Sequence, residues 1–211
     1  MKFRVLAPLV TIIFFCFSLR AQGADDDIGS ILIYGDSLSA SYGMREEEGW
    51  VALLEKKIQQ ENWSYKVING SVSGETSTGG LERLPAMLDS YKPELVVLEL
   101  GGNDGLRGLP IDLLKNNLRK MIELIRERGA KVLLAGIQIP PNYGPRYARP
   151  FSELFYQIAE EDKVELIPFL IDGIPQNPEL MQDDGIHPKP EAQSIILKNV
   201  WYHLLPMLEN S

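Results

Sequence analysis

Short apolar runs separated by longer amphipathic stretches constrain this chain more than any other feature. Ser30–Tyr34 (SILIY), Tyr65–Ile68, Leu95–Leu100 (LVVLEL), Lys131–Ile137 and Val164–Pro168 each read as a strand. The intervening stretches Glu46–Glu61, Gly80–Tyr91, Ile111–Arg128, Pro150–Asp162 and Pro190–Leu208 carry apolar residues at helical spacing. Ile111–Arg128 is the strongest of these, with Leu114, Leu118, Met121, Ile122 and Ile125 on one face. Strands separated by helices of about 10–15 residues imply βαβ units, hence an α/β fold with a parallel sheet and helices on both faces. At 211 residues, 45% hydrophobic and 24% charged, the chain suits one such domain, without a linker, repeat or low-complexity tract.

Charge and soft-ligand counts exclude several classes. With 29 Asp and Glu against 21 Lys and Arg, the chain lacks the basic balance that phosphate binding needs, so nucleic acid is not an expected partner. Two histidines and one cysteine are too few for a zinc site, and no metal or other cofactor is expected. The single cysteine cannot close an internal disulfide.

That cysteine falls in a segment with the features of a signal peptide. Lys2 and Arg4 precede an uncharged, mostly apolar stretch from Val5 to Leu19, and Ala21-Gln22-Gly23 offers small residues at a cleavage site. The apolar core is shorter than the ~20 residues a membrane span needs. Bulky Ile13, Phe14 and Phe15 before Cys16 argue against a lipoprotein site. The expectation is a signal peptide over 1–23, cleaved after Gly23, and a domain over 24–211 with no stable membrane insertion. Loss of Lys2, Arg4 and Arg20 would take the net charge from −8 to −11.

In open parallel sheets, ligands bind beyond the carboxyl ends of the strands. The residues just after each strand are informative on that ground. The first strand ends in Gly35-Asp36-Ser37-Leu38-Ser39; alone, such a serine reads as a turn or cap residue, and position 39 is not the glycine of a G-x-S-x-G elbow. The second is followed by Asn69-Gly70-Ser71-Val72-Ser73-Gly74-Glu75-Thr76, small residues that let backbone N–H groups approach a ligand, or an ordinary Gly/Ser loop. The third leads into Gly101-Gly102-Asn103-Asp104-Gly105-Leu106-Arg107-Gly108, which lacks dinucleotide-loop spacing but puts an amide donor, Asn103, at a strand end. Near the C-terminus, Asp183-Asp184-Gly185-Ile186-His187-Pro188 spaces Asp184 so that its carboxylate can reach one nitrogen of His187. His203 reads as a surface histidine, Asp183 as a solvated neighbour, Asp36 as a brace of its turn and Asp104 as a loop hydrogen-bonder that holds Asn103.

Taken in this order, the segments resemble the SGNH (GDSL-type) hydrolase superfamily, whose blocks are a GDS serine, a glycine, a G-x-N-D asparagine and a D-x-x-H pair. The stretches GDSLSASYGM, ELGGNDGLRG, IPPNYG and MQDDGIHP are similar to those of its multifunctional bacterial acyl-CoA thioesterase I/protease I/lysophospholipase enzymes. Met44-Arg45-Glu46-Glu47-Glu48 is more charged than that resemblance suggests. The resemblance implies a three-layer α/β/α sandwich of flavodoxin-like type and a serine esterase acting on acyl esters and thioesters such as lysophospholipids, acyl-CoA and aryl esters. It implies Ser37 as nucleophile, His187 as base and Asp184 as its orienting carboxylate. It further implies an oxyanion hole from the Ser37 and Gly74 N–H groups and the Asn103 amide. Leu106, Leu109, Ile139, Pro140 and Tyr143 are then expected along an acyl groove. The alternatives are a carbohydrate O-acetylesterase with the same triad and a non-catalytic acyl- or lipid-binding protein. A monomeric, periplasmic or secreted enzyme is expected.

Overall fold

The computed structural model describes residues 28–210. The segment expected to be a signal peptide lies outside the described residues. Strands β1 (Gly29–Gly35), β2 (Tyr65–Asn69), β3 (Leu95–Glu99), β4 (Lys131–Ala135) and β5 (Glu165–Ile167) form one sheet in the order β2-β1-β3-β4-β5. Every neighbouring pair is parallel. The chain winds outward in one direction through β2 and in the other through β3, so the strand order reverses at β1 and β3. That reversal opens a crevice at their carboxyl ends.

Side chains alternate across the sheet and divide the core in two. Leu32, Tyr34, Val96, Leu98, Val132 and Leu134 face one layer, built from α2 (Ser77–Tyr91), α4 (Ile111–Glu127) and α5 (Pro145–Asp162). Ile31, Ile33, Leu95, Val97, Leu133 and Ala135 face the other, built from α1 (Trp50–Gln60) and α6 (Gln193–Glu209). Burial on both faces explains why β1 and β3 read as continuous apolar runs. The architecture is the expected three-layer sandwich.

Element ends depart from expectation where local chemistry overrides the apolar pattern. Helix α2 begins three residues early, at Ser77, because the Thr76 side chain accepts a hydrogen bond from the Gly79 N–H and caps it. The run expected as one helix from Glu46 is broken at Gly49, whose extended backbone separates a 3-10 turn at Glu46–Glu48 from α1. Helix α5 starts at Pro145 instead of Pro150; proline suits the first helical position, and Pro150 is carried inside. A short helix, α3 (Gly102–Leu106), occupies the expected Gly-rich loop. The final helix opens with a 3-10 turn, Pro190–Ala192, before α6.

Candidate active site

The turn after β1 presents Ser37 at the crevice. Backbone bonds from Ser39 and Ala40 N–H to the Asp36 carbonyl close the turn. Asn69 Nδ2 donates to the Ser39 carbonyl (2.9 Å), and Trp50 Nε1 donates to the Leu38 carbonyl (3.1 Å), pinning it to β2 and α1.

His187 reaches Ser37 from the far end of the chain on a hairpin-like loop. Gln182 N–H donates to the His187 carbonyl (2.7 Å), and Met181 bridges Pro188 antiparallel. Gly185 takes φ +65° at the tip, a left-handed conformation suited to glycine. His187 Nε2 lies 2.8 Å from Ser37 Oγ, and Nδ1 lies 2.6 Å from Asp184 Oδ2. Asp184 Oδ1 accepts the backbone N–H groups of Ile186 (2.9 Å) and His187 (3.0 Å). Desolvation pushes the Asp184 carboxyl up, but the His187 and Ile186 hydrogen bonds together outweigh it and hold the group below its ordinary value. An ionised Asp184 keeps the proton of His187 on Nδ1. Nε2 is then the acceptor for the Ser37 hydroxyl, which is the arrangement a general base requires.

Of the expected oxyanion donors, Ser37 and Asn103 line one cavity. Gly74 follows β2 with φ +81°, and a Cβ there would meet nothing within 4 Å beyond its chain neighbours. Arg107 Nη2 donates to its carbonyl (3.1 Å). Asn103 is the second residue of α3, which follows β3 through Gly101 at φ +126°. Its Nδ2 donates to Asp36 Oδ2 (3.1 Å), leaving the other amide hydrogen for a ligand. Asp36 also accepts from the Leu38 N–H (3.1 Å), so it braces the turn as expected and holds Asn103 as well. Buried Asp104 accepts from Ser77 N–H (2.8 Å) and Oγ–H (2.5 Å), tying α3 to the start of α2 just beyond Gly74.

A cavity of about 410 Å³ opens beside Ser37, a size usual for small-ligand sites. Leu106, Ile139 and Pro140 line it, as expected for an acyl groove. Leu109 and Tyr143 stand outside the lining. Tyr143 turns its hydroxyl to donate to the Leu106 carbonyl (2.9 Å), and the Leu109 carbonyl accepts from Tyr147 (2.7 Å). Those contacts brace the Leu106–Leu109 segment from behind. Phe169, Leu170, Ile171, Met181 and Ile186 complete the apolar wall and were missed in the sequence. The strand-end rule applied to β5 would have found the first three. Tyr42 was also missed; its ring packs on His187 with centroids 4.3 Å apart.

The GDSL-like Lipase/Acylhydrolase family matches residues 33–195. Esterase TesA of Pseudomonas aeruginosa is 51% identical over 179 residues, covering 85% of this chain and 89% of that protein. Thioesterase 1/protease 1/lysophospholipase L1 of Escherichia coli K12 is 40% identical over 208 residues, covering 99% and 96%. The crystal structure of the psychrotrophic esterase EstA from Pseudoalteromonas sp., inhibited by monoethylphosphonate, superposes with a TM-score of 0.82 at 43% identity, covering 86% of this chain and 99% of that one. The chain belongs to the GDSL-like lipase/acylhydrolase family and is an ester hydrolase.

Proposed function

We propose that Ser37, His187 and Asp184 form a nucleophile–base–orienter triad that cleaves acyl esters and thioesters, lysophospholipids foremost. The observation that carries this reading is the continuous hydrogen-bonded chain from Ser37 Oγ through His187 to Asp184 beside an apolar cavity. His187 Nε2 takes the hydroxyl proton as Ser37 Oγ bonds to the acyl carbon. The carbonyl oxygen becomes an oxyanion, received by the Ser37 and Gly74 N–H groups and the Asn103 amide. Collapse of the intermediate breaks the bond to the leaving alcohol or thiol, which leaves with the proton from His187. Water then repeats the sequence on the acyl-serine and releases the free acid.

The acyl chain runs along Leu106, Ile139, Pro140, Phe169 and Met181. A cavity of this size and polarity exceeds what an acetyl group needs, which disfavours the carbohydrate O-acetylesterase reading. A binding protein would have no use for the poised hydroxyl, which disfavours the non-catalytic alternative. We take residues 1–23 as a cleaved export signal and the enzyme as a periplasmic or secreted monomer over 24–211. No helix among the described residues is long and apolar enough to cross a membrane. The −11 charge expected after cleavage gives no long-range attraction for the anionic CoA moiety, so lysophospholipids and neutral esters suit the enzyme better.

The test is a panel of lysophospholipids, acyl-CoAs, aryl esters of graded chain length and acetylated xylan, assayed on the chain from residue 24. Highest kcat/KM on medium or long acyl chains, with lysophospholipid above acyl-CoA, is expected. Preference for acetylated xylan would overturn the substrate assignment.

A further inference from the structure

Glu99, the last residue of β3, is fully buried although it is ionisable. Strand β3 places Glu99 opposite Gly35 of β1, on the sheet face shared by Ile33 and Val97. A Cβ on Gly35 would collide with Glu99 Oε2, and would lie 2.9 Å from the Glu99 carbonyl and 3.0 Å from Ser39 Oγ. The glycine preceding Asp36 and Ser37 is therefore the space that the Glu99 carboxyl occupies.

Glu99 Oε2 accepts two hydrogen bonds, from the Asp36 N–H (3.2 Å) and from Ser39 Oγ–H (2.7 Å). These donors flank Ser37 on either side. Glu99 Oε1 has no hydrogen-bond partner among the described residues. An ionised Glu99 would leave a charged oxygen unsolvated beside a second buried carboxyl, Asp36. A proton on Oε1 replaces that cost with the smaller one of an unpaired neutral hydroxyl and leaves Oε2 free to accept both bonds.

Resting on the triad reading, we propose that Glu99 is a positioning residue. It is a neutral carboxylic acid behind the nucleophile turn that fixes Ser37 through its two neighbours and leaves Asp36 as the one anion orienting Asn103. Burial first, and the Asp36 charge second, push the Glu99 carboxyl well above its ordinary value. Burial also pushes Asp36 up to about 6, against the hydrogen bonds from Leu38 N–H and Asn103. At neutral pH the pair thus carries one charge, on the carboxyl that touches the oxyanion donor. Asp36, Glu99 and, across Asp36, His187 are the ionisable groups acting on the pair. Helices α1 and α6 cover that face of the sheet with apolar Trp50, Leu54, Ile196 and Val200. Loss of the Glu99 proton would add a second buried charge beneath the nucleophile and loosen the turn.

The experiment compares pH profiles of kcat and KM for the wild type, Glu99→Gln, Glu99→Leu and Ser37→Ala. Glutamine keeps a neutral oxygen acceptor for Asp36 N–H and Ser39 Oγ, so Glu99→Gln is expected to retain kcat at pH 7 within about tenfold, at unchanged KM. The wild type is expected to lose kcat on an alkaline limb that Glu99→Gln lacks. Glu99→Leu, which removes the acceptor, is expected to lower kcat by about 10–100-fold at unchanged KM. Superimposable wild-type and Glu99→Gln profiles would overturn the proposal. A loss beyond tenfold in Glu99→Gln at pH 7, or its failure to fold, would do the same, since the neutral isostere would then not suffice. Ser37→Ala separates the two readings: if it is active the triad assignment fails, whatever Glu99 does.

Discussion

Replacing Asp104 by alanine removes the carboxylate that ties α3 to the start of α2, the two sides of the proposed oxyanion site. Asp104 is 1% exposed and Ser77 is fully buried, so water cannot replace the bonds that Asp104 accepts from Ser77 N–H and Oγ–H. Hydrogen bonds to a charged group contribute about 1.5–3 kcal/mol each, so Asp104→Ala should destabilise by about 3–5 kcal/mol. Domains of this size are stable by roughly 5–15 kcal/mol and lose about 2–4 °C in Tm per kcal/mol, so the variant folds but melts about 10 °C lower. Ser77→Ala removes the bond its hydroxyl donates to Asp104 and the one it accepts from Asn117 Nδ2, but Asn117 keeps Thr78 Oγ1 as an acceptor, so the cost should be about 1.5 kcal/mol. Urea midpoints of the two single variants and the double variant give the coupling energy, expected at about 1.5 kcal/mol or more. Asp104 follows Asn103, and Ser77 follows the Gly74 loop, so kcat should fall more than KM changes. Destabilisation below 1 kcal/mol with kcat unchanged would refute the argument that this carboxylate holds the oxyanion donors together.

Asp184→Asn should fold normally yet lose on the order of 10³–10⁴ in kcat, because an amide nitrogen facing Nδ1 favours the wrong imidazole tautomer; steady-state kinetics showing a loss under tenfold would contradict this. Asp36, pushed up to about 6 from an ordinary 3.8 by burial, binds its proton more tightly folded than unfolded. Its contribution to stability is therefore greatest below about pH 4 and falls as pH rises through 6, by up to about 3 kcal/mol. Asp36→Asn should flatten that part of the stability profile in urea titrations between pH 4 and 7, and an unchanged slope would show that the pair is not buried as described.

The layered fold was legible because its strands are buried on both faces and its helices carry one apolar stripe. The five-residue helix α3 was not, since so short an element has no period to read and is held by Gly101 and Asp104. Ser37, Asp184 and His187 were legible through residue type, order and strand-end position, although His187 meets Ser37 across 150 residues of sequence. Glu99 read only as part of an apolar strand run. Its role depends on Gly35 across the β1–β3 pairing, a relation that local pattern does not carry. Met181 was missed for a similar reason: the path of the chain after β5, not its composition, brings it to the cavity.

Incubation with a fluorophosphonate, followed by peptide mass spectrometry, shows whether Ser37 is the nucleophile of this esterase. A single phosphonyl adduct on Ser37, formed in step with loss of esterase activity and absent from Ser37→Ala, is the predicted result. An adduct on another residue, or ester turnover at the wild-type rate by Ser37→Ala, would contradict it.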